Sequence, residues 1–167
     1  VFLSDHDQSK KFKAYWWDRT ATQAALISDG AGLQPGYGFA ERGPLAFSRD
    51  GSRVFLPVVH DSMAQRATPA PAADTGAEEK VLADLWHWKD DYIQPMQKAR
   101  AQQDRNRTYR AVFHIAGKKL VQVSDPSLAT VNPSDDGRWA VGSDDRRYRT
   151  KIDYDGNYAD LHLVDTT

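Results

Sequence analysis

Short apolar runs separated by Asp, Gly, Asn and Ser dominate the chain, the pattern of brief strands joined by tight turns. Two segments set it: residues 47–56 read FSRDGSRVFL and residues 132–141 read NPSDDGRWAV. Each places Asp-Gly between apolar arms. Glycine takes positive φ without a Cβ clash and aspartate hydrogen-bonds the local backbone, so both segments predict hairpins. Alternating runs recur as KAYWWD at 13–18, ADLWHW at 83–88 and ADLHLVD at 159–165, and the last two share Ala-Asp-Leu. They predict the third strand of a repeated unit, with alternate side chains packed against neighbouring units. Second strands are expected at Val1–Asp5, Arg53–Pro57 and Trp139–Asp144, and fourth strands at Ala24–Asp29 and Lys119–Asp125.

The expected fold is all-β: a partial β-propeller of about three incomplete blades, each built on an antiparallel four-stranded sheet. The blade parts fall at about residues 1–32, 33–126 and 127–167 within one domain of 167 residues. Val1 opens the chain inside a strand-like run and no fourth strand follows Asp165, so the chain is expected to be a cut piece of a longer protein.

The middle unit is swollen, because Asp50 and Asp136 lie about two blade periods apart, a blade taking roughly 40–50 residues. Part of the excess is residues 62–80, where Ala, Pro, Thr and Gly crowd into a composition that predicts an exposed loop. The rest runs from Asp90 to Thr108. It reads either as a short helix, with Asp91 as cap and Pro95 in the first turn, or as a β-ribbon. The ribbon would turn at Asp104-Arg105-Asn106 and return through Tyr109–Ile115; its alternating return arm and the weak apolar face of a helix favour it.

Charge and composition exclude several functions. Lys and Arg number 22 against 23 Asp and Glu, a formal charge of -1, so nucleic acid is not an expected partner. The absence of cysteine removes disulfides, thiolate metal sites and cysteine nucleophiles. No apolar run approaches the roughly 20 residues of a membrane span.

Candidate chemistry is sparse. No Gly-x-Ser-x-Gly elbow occurs, and Ser143 reads as a polar strand end rather than a nucleophile. His6, His60, His87, His114 and His162 are scattered without the spacing of a metal site; His87 and His114 read as strand residues facing a rim or a blade contact. The pair Asp90-Asp91 and the run Ser143-Asp144-Asp145-Arg146-Arg147 lack calcium-loop spacing and read as self-neutralising surface charge. Trp16, Trp17, Trp86, Trp88 and Trp139 would suit a sugar- or peptide-gripping surface, but packing between blades is the commoner use. Trp86 and Trp88 would share one strand face. No catalytic, metal-binding or cofactor-binding residue is assigned, and ligand-binding residues stay unassigned.

Leu85-Trp86-His87-Trp88-Lys89-Asp90, Gln94-Pro95-Met96-Gln97, Arg105-Asn106-Arg107-Thr108-Tyr109 and Asp136–Gly142 resemble the N-terminal β-propeller of bacterial prolyl oligopeptidase-family serine peptidases. The likeness is specific between about Val81 and Asp165. It implies a parent hydrolase whose separate α/β-hydrolase domain carries Ser, Asp and His. The propeller would be a non-catalytic sieve, passing only short or flexible peptides. The implied partners are that hydrolase domain and a peptide substrate, and the implied compartment is periplasmic or secreted. Glu78-Glu79 does not match the paired glutamates with which dipeptidyl peptidases of the family hold a substrate amino terminus. The alternative is an interaction scaffold of WD-repeat or periplasmic type with no enzymatic parent. A carbohydrate-acting propeller is a weaker third reading, since no paired carboxylates are placed for it. Incomplete blades also predict self-association through uncovered faces and edges.

Overall fold

The computed structural model describes residues 1–6, 11–18, 20–62, 85–152 and 154–167. Its described residues form an all-β chain of eleven strands in three antiparallel sheets, the sheets of a partial propeller. The first sheet holds β1 (Phe2–Ser4), β2 (Lys13–Trp16) and β3 (Ala25–Ser28), paired in that order. The second holds β4 (Tyr37–Phe39), β5 (Ala46–Phe47), β6 (Arg53–His60), β7 (Tyr109–His114) and β8 (Lys119–Gln122). Here β4 and β5 are two pieces of one edge, pairing with opposite ends of β6: Phe39 opposes Val58 and Phe47 opposes Val54. The third holds β9 (Thr130–Pro133), β10 (Trp139–Asp144) and β11 (Asp160–Asp165), with β10 central.

The strand period explains how the sheets stack. Successive residues of β6 and β7 point to opposite faces, and both faces are apolar. Val54, Leu56 and Val58 of β6, with Tyr109, Ala111 and Phe113 of β7, bury one face against Ala14 of the first sheet and its neighbours Leu3 and Ile27. Phe55 and Val112 bury the other against Val131 and Ala140 of the third. Among the described residues the outer sheets are covered on one side only. Leu161 and Leu163 of β11 stand 73% and 72% exposed beside Val141 and Trp139, and Phe2 and Leu26 are exposed on the far side of the first sheet.

The two Asp-Gly segments fold alike. Gly51 and Gly137 take φ of 69° and 72°, and their N–H groups donate to the carbonyls of Ser48 and Ser134 at 2.9 Å each. Ser48 Oγ donates to Asp50 at 2.6 Å, as Ser134 Oγ does to Asp136. The hydrogen bonds from Ser48 and then Ser52, more than the nearby Arg53 charge, hold the Asp50 carboxyl down to about 2. The third-sheet hairpin nests on the second-sheet one: Arg53 Nη1 donates to the Asp136 carbonyl at 2.8 Å and Arg49 N to that of Asp135 at 2.8 Å.

Two expectations are corrected. The third strand of the middle blade is β7, not residues 83–88: Ala83 and Asp84 lie outside the described residues, and Leu85–Trp88 form no strand. Leu85, Trp86 and Trp88 are all exposed, so that run buries no apolar face, whereas β7 buries side chains on both. The insertion is also not a ribbon. Residues Gln94–Arg105 form a helix, α1, with Pro95 in its first turn and Asn106 closing it. Lys98–Gln103 alternates nothing larger than Ala99 and Ala101, too small a face for a ribbon to bury, and each of these residues has high helix propensity. Asp91 does not cap it; the cap position is Ile93, without a side-chain hydrogen bond. The expected loop lies almost wholly outside the described residues, as do Glu78 and Glu79.

The matched hairpins predict unequal costs for one substitution. A Cβ at Gly51 meets nothing within 4 Å, whereas at Gly137 it meets the Phe55 ring at 2.8 Å. Gly51→Ala is expected to cost about 1–2 kcal/mol, the strain of left-handed backbone. Gly137→Ala should cost about 2–4 kcal/mol because it also overpacks the contact between sheets. Urea denaturation of both variants checks the order, and equal losses would count against the nested packing.

Candidate functional site

The connections β6–β7 and β10–β11 emerge from the same end of neighbouring sheets, and both are long. The second carries a 3-10 helix over Arg146–Lys151. The first carries α1, preceded by the turn Leu85–Asp91. That turn is closed by Asp90, whose carboxylate accepts from the His87 N–H at 3.1 Å and from Gln97 Nε2 at 3.0 Å. The Gln97 bond, then the His87 one, lowers the Asp90 pKa.

Arg149 joins the two connections. Its guanidinium donates to Asp145 Oδ1 at 3.0 Å and to Asp91 Oδ2 at 3.1 Å, and it lies 5.7 Å from the centre of the Tyr92 ring. Arg100 covers the same ring at 4.6 Å. Burial opposes the Arg149 charge, but the bonds to Asp145 and Asp91 outweigh it and raise its pKa. Burial raises the Tyr92 phenol. Beside this dock lies a polar cleft of about 390 Å³ lined by Arg100, Arg107, Thr130, Ser143, Asp144 and Arg146, among others. Arg146 meets Asp144 through two bonds of 2.8 and 2.7 Å, which hold that carboxyl well below the ordinary range. Among the described residues each of these cations except Arg100 has a carboxylate partner.

The structure therefore brings Asp91, Asp145 and Arg149 together, and separates most of the other candidates. Ser143 lies near the end of β10, and among the described residues no hydrogen bond joins it to a histidine. His114 Nε2 meets the Thr166 carbonyl at 2.7 Å, linking the second and third sheets. His87 is in the exposed turn, stacked on Trp88 at 5.9 Å, not on a strand. Trp86 and Trp88 share no strand face either: Trp86 Nε1 donates to the Tyr92 carbonyl at 3.3 Å, and Trp88 lies under Lys89. None of the five tryptophans is buried, which corrects the reading of them as packing between blades. Trp16 comes nearest to it, edge-on to Phe47 of the second sheet at 5.8 Å. Among the described residues no group of three His, Asp or Glu side chains converges to hold a metal ion, and no helix is long and apolar enough to cross a membrane.

Sequence reasoning did not find Arg149, Tyr92 or Arg100, which lie in charged stretches that read as ordinary surface. It also passed over Arg110, although a charge inside the apolar run Tyr109–His114 was a visible signal.

The fold defines a class, an all-β chain of propeller-like sheets. No protein-family model and no curated protein matches this sequence.

Arg149→Ala is expected to free the dock at a cost of about 1–2 kcal/mol, since two carboxylates lose a partner. Limited proteolysis between Leu85 and Arg107 should then quicken about tenfold. The denaturation midpoint of the three sheets should barely move. Unchanged cleavage would show that Arg149 does not hold α1 in place.

Proposed function

We propose that the chain is the non-catalytic propeller portion of a prolyl oligopeptidase-family serine peptidase, restricting peptide access to a separate α/β-hydrolase domain. The observation that carries the reading is the stack itself. One sheet is buried on both faces, and each neighbour is buried on one, as blades arranged around an axis require. The peptidase kinship rests on the resemblance of Leu85–Asp90, Gln94–Gln97, Arg105–Tyr109 and Asp136–Gly142. In the structure Leu85–Asp90 and Gln94–Gln97 lie in the turn and helix that Asp91 ties to Arg149 of the β10–β11 connection, and Arg105–Tyr109 leads from the helix into β7. Such a rim suits selection by size, because it offers bulk and polarity without a reactive group.

The test uses the native gene product that contains these residues. A fluorophosphonate probe should label it, and it should cleave proline- or alanine-containing chromogenic peptides. The 167-residue chain alone should do neither. Labelling of the short chain, or none of the native product, would sink the proposal.

A second reading, an interaction scaffold, is favoured by the uncovered apolar face of Trp139, Val141, Leu161 and Leu163. By the same face the isolated chain is expected to self-associate. Sedimentation velocity at rising concentration should give an increasing mean mass, and replacing Leu161 and Leu163 by Lys should reduce it. A single monomeric species at high concentration would refute this expectation.

A further inference from the structure

Between the second and third sheets a cleft opens on both sides of one side chain, Arg110. On the hairpin side is a cavity of about 330 Å³ walled by Pro44, Phe47, Phe55 and Pro133, and on the other side one of about 190 Å³. Arg110 lines both. Its Nη1 donates to the Val131 carbonyl at 3.0 Å, and its guanidinium lies 5.9 Å from the centre of the Phe55 ring. Among the described residues no carboxylate lies within ion-pair distance of it. Burial alone lowers its pKa, with no charge acting in the other direction. The carboxylate at the cavity mouth, Asp135, is already paired with Arg49 at 3.3 Å.

A guanidinium has five N–H donors in a planar fork, and here one is matched to a protein acceptor. A cation half removed from water beside an open cavity, with donors to spare and no ion-pair partner among the described residues, has the features of an anion site. One positive charge and a flat fork match a monoanionic carboxylate better than a phosphate, which carries more charge and asks for more donors. The ring and proline walls add a place for an apolar group attached to it.

We propose that this cleft binds a carboxylate, with Arg110 as its partner and Phe47, Phe55, Pro44 and Pro133 holding the apolar group beside it. The site does not depend on the peptidase reading. The carboxylate comes either from a small organic acid or from the C-terminus of a short peptide.

Isothermal titration calorimetry on the full chain tests it with three probes: benzoate, N-acetyl-Ala-Pro with a free carboxylate, and the same peptide amidated. The peptide acid or benzoate should bind, and the amide should bind at least about tenfold more weakly, the effect of losing one charge-assisted pair. Binding of benzoate as tight as that of the peptide acid assigns the small-acid source; tighter peptide binding assigns the C-terminus. Arg110→Gln should lose about tenfold or more in affinity for the acid without loss of folding, and Arg110→Lys should lose less. Equal affinity for acid and amide, unchanged affinity in Arg110→Gln, or no binding by any probe at millimolar concentration would overturn the site. If Arg110→Gln fails to fold, the comparison of acid with amide on the unaltered chain decides alone.

Discussion

The structure depends on the two-sided burial of β6 and β7. A strand with apolar side chains on both faces satisfies the alternation of its pleat only when a layer covers each face. Leu56, Val58 and Ala111 turn toward the first sheet while Phe55 and Val112 turn toward the third, so one sheet commits the chain to at least two neighbours. Neither outer sheet has that property. Their inner faces are small or apolar, Ala14 on one side and Ala140 on the other, and their outer faces mix exposed aromatic and aliphatic groups with polar ones. The asymmetry makes the middle blade the structural centre of the chain.

How the third sheet seats on the second is set at the hairpin end. Each Ser-x-Asp-Gly turn satisfies its own backbone through the serine hydroxyl and the aspartate, leaving outward-facing carbonyls for the neighbour. Arg53 of the second sheet takes that of Asp136, and the Arg49 N–H takes that of Asp135. Because Gly137 lacks a Cβ, the Phe55 ring can close against the turn, and a local backbone requirement becomes a contact between sheets.

This division between local and distant interactions explains what the sequence revealed. The hairpins were legible because Asp-Gly acts within six residues, and so were the strand pairs flanking them. The third strand of the middle blade was misread because the Ala-Asp-Leu shared by 83–85 and 159–161 is a match in letters alone, and Leu85 lies on no strand; Tyr109–His114 has the apolar side chains on both faces that the position requires. The helix was misread because its return arm really is a strand, and only the arm leading to it coils. The Asp91–Arg149 pair joins residues 58 apart, and no pattern along the chain announces such a bond.

The two ends of the stack differ in kind. At one end, turns such as Ser48–Arg53 and Ser134–Trp139 are tight and packed into one another, so their sequence is constrained by the stack. At the other, the connections carry α1 and the 3-10 helix, joined by the Asp91–Arg149 pair, with no fully buried side chain in either helix. Polar contacts on a surface contribute less to stability than buried apolar ones, so this end tolerates variation and motion that the hairpin end does not. Arg110 sits between the two regimes. Its backbone belongs to β7, a strand fixed by burial, and its charge opens into a cleft that the packing leaves unfilled. A side chain so placed keeps a fixed position without an internal counter-charge, and recognition of an outside anion requires that combination.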